Sequence, residues 1–261
     1  MTLLEAIILG IIQGLSEFLP ISSSGHLALG HMLFGLEEEG LLFTVMIHMG
    51  TLIPVLIVYR KDIITLIKKP FQKLTYLLII ATLPAVIVAL FFEDMVEQAF
   101  ASMRFLAAGF VITAIVLILT DKIRRNTKKT AEITYMDALI IGVAQGIAVF
   151  PGISRSGSTI AAALSRGIAR EDAAKFAFLM SIPAILGAMV LQISHIVRGN
   201  ILIDNINFIN LGAGFLAAML SGYLAINFML TAVKKAKLSY FAYYVLILAA
   251  FIFIGVFFLG F

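Results

Sequence analysis

Six runs of about 20 apolar residues dominate this chain: Leu41–Tyr59, Leu74–Phe92, Phe105–Thr120, Ala173–Ile193, Phe208–Leu230 and Tyr240–Phe261. A span of the roughly 30 Å hydrocarbon layer takes about 20 helical residues, and backbone amides inside it find no water, so such runs cross as helices. The composition agrees, with 61% apolar and 13% charged residues over 261 positions, against about 25% charged in a water-soluble domain. The expected fold is therefore an all-α polytopic membrane protein of six transmembrane helices. A net charge of +4 does not make it a nucleic-acid binder, because the basic residues fall between the apolar runs, where they set orientation. With no cysteine, disulfides, thiolate metal sites and cysteine nucleophiles are excluded. Met1–Pro20 lacks a basic start and carries Glu5 and Glu17, so the spans are expected to do their own targeting.

Two further stretches, about Leu3–Gly35 and Tyr135–Gly167, are apolar at both ends and interrupted by Pro, Ser and Gly. The connectors Arg60–Lys73, Lys122–Tyr135, Arg166–Lys175 and Lys234–Lys237 hold 16 of the 19 basic residues and are expected on the cytoplasmic side. The loops at Glu37-Glu38-Glu39, at Glu93-Asp94 with Glu97, and at His195–Asn207 are expected outside. Tyr135–Gly167 thus begins and ends on one side with about 33 residues, too few for two crossings at about 20 each. It is read as a re-entrant hairpin, and Leu3–Gly35 as a second one arriving from the outer side, which leaves both termini outside.

An offset of 132 aligns the two hairpins. Gly10, Gln13, Gly14, Phe18, Ile21, Ser22, Ser24 and Gly25 fall on Gly142, Gln145, Gly146, Phe150, Ile153, Ser154, Ser156 and Gly157. The chain is therefore read as one membrane domain built from two repeats, 1–120 and 121–261, of inverted topology, an arrangement that gathers a polar site where broken helices meet. The mismatched columns carry the chemistry: Glu17 faces Val149, Ser23 faces Arg155, and His26 faces Ser158. One copy keeps a carboxylate and an imidazole, the other a guanidinium, as expected of a single composite site.

Gln13 and Glu17 are four apart and share a helix face, and Pro20 ends that helix. Ser22-Ser23-Ser24-Gly25-His26 then forms a turn, and Pro151-Gly152-Ile153-Ser154-Arg155-Ser156-Gly157-Ser158-Thr159 occupies the equivalent turn of the second hairpin. Small residues at a helix N-terminus let amides cradle an anion, and Arg155 can grip a phosphate with two parallel hydrogen bonds. Charged groups at mid-membrane are costly and usually have a task or a partner. A plain Glu17–Arg155 salt bridge between half-helices is the bland alternative, and it leaves the neighbouring hydroxyls and His26 without a role.

Gln13-Gly14-Leu15-Ser16-Glu17-Phe18-Leu19-Pro20-Ile21-Ser22-Ser23-Ser24-Gly25-His26, with the Pro151–Thr159 segment, resembles the undecaprenyl-diphosphate phosphatase family linked to bacitracin resistance. Gln13 stands where many relatives carry Glu, which leaves Glu17 as the one carboxylate of that motif. The resemblance implies hydrolysis of the terminal phosphate of a C55 polyprenyl diphosphate in the bacterial plasma membrane, with the site open to the outer face. It also implies a divalent cation, Mg²⁺ or Ca²⁺, and competition by bacitracin, which sequesters the lipid substrate. The partners are then the polyprenyl diphosphate and the bilayer, with a second copy of the chain as an optional one. The roles that go with it are Arg155, Ser154, Ser156, Gly157 and Thr159 on the diphosphate, with Ser22, Ser24 and Gly25 supporting. Gln13 and Glu17 bind the cation or orient water, Ser23 is the candidate hydroxyl nucleophile, and His26 is a general base or itself the nucleophile.

The rival class is a polyprenyl-phosphate flippase, since inverted repeats with broken helices also build transporters. The imidazole, hydroxyl, carboxylate and guanidinium set argues for an enzyme, because binding alone does not need it. His48 reads as a packing histidine that could border the cavity, His31 and His195 as solvated, and Pro54, Pro84 and Pro183 as kinks.

Overall fold

A computed structural model describes residues 1–36, 41–123, 127–197, 207–235 and 237–256. Among these every element is helical apart from one isolated parallel bridge between Lys128 and Ile168. The first hairpin consists of α1 (Leu3–Phe18) and α2 (Ser23–Phe34), and the second of α8 (Tyr135–Ile147) and α9 (Arg155–Ser165). Between them lie α3 (Leu41–Val58), α4 (Arg60–Lys68), α5 (Lys73–Phe91), α6 (Glu93–Phe100) and α7 (Met103–Thr120); α10 (Arg170–Val197), α11 (Phe208–Lys235) and α12 (Ser239–Ile254) complete the chain. The fold is all-α and polytopic. Four helices, α5, α7, α10 and α11, are long and apolar enough to cross a membrane, and a fifth span is obtained when α3 is taken together with α4. The sixth expected span is helical over Ser239–Ile254, and residues 257–261 lie outside the described residues. So do Glu37-Glu38-Glu39, Arg124, Arg125 and most of the expected outer loop at His195–Asn207.

Two helices arise where only connectors were expected. Helix α4 departs from α3 at 85°, with Arg60, Lys61, Asp62 and Lys68 interleaved with exposed Ile64 and Ile67. That amphipathic pattern suits a helix lying across the bundle. Helix α6 carries Glu93 and Asp94 in its first turn, where they complement the helix dipole.

The hairpins are held by close backbone approach. Helices in lipid gain little hydrophobic drive from each other, so association rests on packing and on small residues at the contact. Helix α1 lies along α11 and α8 along α5, so each hairpin packs on a helix from the other half of the chain. At these contacts a side chain on Gly10 would overlap the Gly214 carbonyl, and one on Gly142 would crowd the Ala81 backbone. The exposed faces of the long helices are apolar, with Leu4, Phe91, Val190, Ile209 and Leu224 exposed, as a lipid-facing wall requires.

The outer ends of the hairpins are capped alike. Thr2 and Glu5 form a capping box on α1, and Thr134 and Asp137 form one on α8, again 132 residues apart. Asp137 is fully buried and bonds Lys128 at 2.8 Å and Arg166 at 2.8 Å. Because Arg166 caps the end of α9, this cluster closes the open end of the second hairpin and fixes where its tip points.

Candidate active site

The first tip is shaped by a proline and a strained serine. Leu19 precedes Pro20 and is extended at φ −71°, ψ 148°, as a residue before proline must be, so α1 stops at Phe18. Ser22 then caps α2 at φ 70°, ψ 101°, and is the one non-glycine with positive φ among the described residues. Such a conformation costs on the order of 1–3 kcal/mol and persists only where surroundings enforce it. Here the Ser22 hydroxyl accepts from Gly25 N and pairs with Ser24 Oγ at 3.2 Å. The Ser22 carbonyl accepts from the His26 backbone N–H at 3.2 Å and from His26 Nδ1 at 2.7 Å.

The second tip repeats the device. Ser154 caps α9, accepts from Gly157 N at 3.1 Å, and pairs with Ser156 Oγ at 3.2 Å. Its sharp bend rests on Gly152 at φ 78°, where a side chain would overlap Leu106 O of α7. Thr113 of α7 stitches this turn, donating to Gly152 O at 2.8 Å and accepting from Ser154 N at 2.9 Å.

The tips meet. Ser156 Oγ donates to Leu19 O at 2.9 Å, and Arg155 donates to Glu17 Oε1 at 3.0 Å. Glu17 Oε2 accepts from Ser23 Oγ at 2.6 Å and from Gln13 Nε2 at 3.1 Å. Gln13, Glu17, Ser23 and Arg155, drawn from both hairpins, thus form one hydrogen-bonded chain. Two helix N-termini, each equivalent to roughly half a positive charge, lie beside it.

This chain opens on a cavity of about 670 Å³ lined by Glu17, Ser22, Ser23, Ser24, Ser154, Arg155 and Ser156. Its remaining wall is largely apolar and includes Val86, Leu90, Leu186 and Val190 of α5 and α10. The small cluster of polar groups at one place and the long apolar wall elsewhere suit a lipid with a phosphorylated head.

Several expected contacts are placed otherwise. Ser156, Gly157, Ser158 and Thr159 lie in the first turns of α9 rather than in the turn before it. The Thr159 hydroxyl is spent on the carbonyls of Arg155 and Ser156. A side chain on Gly157 would press on Ser154 and Pro20 of the other tip, and one on Gly25 would overlap Phe110 of α7, so the first glycine serves the docking of the tips and the second the packing of α2 on α7. His26 is not with Ser23 and Glu17 on the cavity wall. Its ring packs edge-on to Phe110 at 5.6 Å and stacks on Tyr244 of α12 at 5.6 Å. Nδ1 faces a carbonyl and must carry the proton, and Nε2 lies 2.9 Å from the Tyr244 hydroxyl, from which the neutral ring accepts.

His48, expected to pack and to border the cavity, and two residues with no expected role stand at or near the cavity. His48 lines it while bonding Thr44 O at 2.8 Å, so packing and cavity wall are both its surroundings. Gln145 lines it as well, and its alignment with Gln13 was the available signal. Tyr244 meets His26 across 218 positions, a pairing that no local pattern announces.

No group of three or more His, Asp or Glu among the described residues could hold a metal by itself. The donor set nevertheless fits a cation that shares its coordination with substrate phosphate, as Mg²⁺ commonly does. Gln13 is fully buried with Nε2 committed to Glu17, while its Oε1 has no hydrogen-bond partner. A buried carbonyl oxygen without a donor, on the side chain that bonds Glu17 through its Nε2, is a group that a hard cation would satisfy.

Comparison with known proteins gives the chain a family and close relatives. The family pattern described as bacitracin resistance protein BacA matches residues 6–251. The undecaprenyl-diphosphatase of Carboxydothermus hydrogenoformans is 49% identical over 244 residues, covering 94% of both chains. Undecaprenyl-diphosphatase 4 of Bacillus thuringiensis subsp. konkukian is 49% identical over 245 residues, again 94% of each. The undecaprenyl-diphosphatase of Halothermothrix orenii is 41% identical over 246 residues with the same coverage.

Proposed function

The chain belongs to the family described as bacitracin resistance protein BacA, and from that premise we propose that the cavity between the hairpin tips is its phosphatase site. The protein is a membrane hydrolase that removes the terminal phosphate of undecaprenyl diphosphate and leaves undecaprenyl phosphate. The observation that carries the assignment of the site is the Ser23 hydroxyl donating to Glu17 at 2.6 Å, with Glu17 bridged to Arg155 at 3.0 Å.

In the proposed reaction the diphosphate head enters against the N-termini of α2 and α9, and Arg155 exchanges Glu17 for phosphate oxygens. Released from the guanidinium, Glu17 accepts the Ser23 proton as Ser23 Oγ bonds to the terminal phosphorus. The bond from that phosphorus to the bridging oxygen breaks, and undecaprenyl phosphate departs. Glu17 yields its proton to the departing phosphate or to solvent. It then takes one from the water that hydrolyses phosphoserine and returns it to Ser23. Arg155 and the α9 amides hold the equatorial oxygens throughout, where charge is spread in the transition state. A divalent cation, held by Glu17 and Gln13 Oε1, would supply further neutralisation of phosphate charge. His26 has both ring nitrogens committed, to Ser22 and Tyr244, and in this reading it holds the turn rather than moving the proton.

The apolar wall of α5 and α10 suits the prenyl chain. The basic connectors support a cavity mouth and both termini on the outer side. An antibiotic that sequesters the diphosphate would then compete for the substrate there. The test is phosphate release from undecaprenyl diphosphate by purified protein in detergent, with and without chelator. Release that is abolished by Arg155→Ala supports the site, and undiminished release by that variant overturns it. Because detergent offers no second compartment, the same assay separates hydrolysis from lipid flipping.

A further inference from the structure

Beside the first hairpin tip lies a second cavity of about 350 Å³, whose lining includes His26, Phe241 and Tyr244 and shares only Ser16 with the first. Tyr244 stands in the apolar helix α12, and its hydroxyl has the His26 ring as its partner at 2.9 Å. A phenol hydroxyl facing hydrocarbon needs such a partner. The bond also holds the ring at Nε2, while Nδ1, which faces a carbonyl that can only accept, donates to the Ser22 carbonyl at 2.7 Å. That carbonyl belongs to the residue held at φ 70°, and the next residue is Ser23, whose hydroxyl meets Glu17.

We propose that Tyr244 is a positioning residue for the phosphatase reaction, acting through the His26 ring and the strained Ser22 turn to keep the Ser23 hydroxyl on Glu17. This rests on the reading of the Ser23–Glu17 pair given above. Tyr244 lines a different cavity and has no place on the wall that holds the substrate head, so its influence passes through the turn. Helix α12 thereby does for the first tip what Thr113 of α7 does for the second.

Two variants read this chain of contacts. Tyr244→Phe removes the hydroxyl and keeps the stacked ring. His26→Asn keeps a donor for the Ser22 carbonyl but nothing for Tyr244. Asparagine can reach the carbonyl four residues back, as Asn227 does to Tyr223 at 2.8 Å in this same chain. Steady-state kinetics on undecaprenyl diphosphate in detergent, with size-exclusion profiles to check that each variant stays monodisperse, should show Tyr244→Phe lowering kcat about five- to ten-fold, the worth of one hydrogen bond, with KM unchanged. His26→Asn should retain clearly more activity than His26→Ala. Adding Tyr244→Phe to His26→Asn should cost nothing further, because the ring that transmits the effect is gone.

Wild-type kinetics for Tyr244→Phe would overturn the proposal, and so would an undiminished loss from Tyr244→Phe in the His26→Asn background. A His26→Asn variant as inactive as His26→Ala would do the same, by making the imidazole itself a reacting group. Absence of phosphate release from the wild-type protein would overturn the functional reading and, with it, this role for Tyr244.

Discussion

Replacing Glu17 by glutamine keeps the volume of the side chain and removes one charge, and the two consequences can be measured separately. Glu17 accepts from Ser23, Gln13 and Arg155, so on the proposed mechanism the amide loses the base that takes the serine proton, and it leaves Arg155 without its counter-charge. General-base catalysis contributes about 10²- to 10⁴-fold, and kcat should fall by at least the lower figure. Breaking a buried ion pair by removing one partner costs about 3–5 kcal/mol. The Arg155 side chain keeps 18% exposure toward the cavity, which argues for the lower bound. About 3 kcal/mol corresponds to roughly 6–12 °C in the apparent unfolding midpoint of a chain this long. The double variant Glu17→Gln/Arg155→Gln removes the orphaned guanidinium as well. It should recover most of the midpoint while remaining inactive. Phosphate release and a detergent thermal-shift curve on the three proteins suffice. A single variant with unaltered midpoint and kcat within ten-fold of wild type would refute both the charge argument and the base assignment.

Ser23→Ala leaves the Glu17–Arg155 bridge intact, so its midpoint should match wild type while phosphate release falls at least 10²-fold; labelled phosphate should be trapped on wild type and not on the variant. Retention of more than a tenth of the activity would favour direct attack by water. Gln13→Glu adds a second carboxylate beside Glu17 and should tighten cation binding several-fold, read as Mn²⁺ affinity by electron paramagnetic resonance; an unchanged affinity removes Gln13 from the ligand set. Gly152→Ala places a side chain against Leu106 O at φ 78° and should cost more than about 1 kcal/mol, seen as a lower midpoint, whereas a neutral result would mean that the turn relaxes freely.

The parts of the fold that follow from local rules were legible in the sequence. Pro20 stops α1 and makes Leu19 extended, and apolar length identifies α5, α7, α10 and α11. The pairing of Glu17 with Arg155 could be expected, because two charges in an apolar setting favour each other over hydrocarbon. Less legible was anything decided by which helix packs behind the tips. His26 lies three residues from Ser23 in sequence, which suggested a catalytic pair, yet a donor on Nδ1 and the phenol of Tyr244 turn its ring to the other face. Gly25, Gly157 and Thr159 looked like phosphate-binding positions for the same reason. Their side-chain surroundings, Phe110 of α7 for Gly25, Pro20 for Gly157 and backbone carbonyls for Thr159, give each a packing role beside that expectation. Surface helices α4 and α6 are not legible in the sequence because a charged stretch between two spans reads equally well as a loop.

The salt bridge found between the tips, which viewed alone is a structural device, has a consequence for the substrate once charges are counted. Two helix N-termini contribute about half a positive charge each, and Arg155 cancels Glu17, so the resting cavity holds about one positive charge in surroundings that screen poorly. A diphosphate monoester carries about three negative charges near neutral pH, since its last proton leaves with a pKa of about 6. The protein alone therefore leaves about two negative charges uncompensated, which is the charge of one divalent cation. A chain with carboxylates at both motif positions starts one charge lower than this one, because Gln13 is neutral. The bridge also accounts for the division of labour between the hairpins. A carboxylate and a guanidinium on one half-helix would satisfy each other whether or not the tips were docked, whereas Glu17 on α1 and Arg155 on α9 find their partners only when both turns are in place. The same contact that assembles the cavity is then available to be exchanged for phosphate.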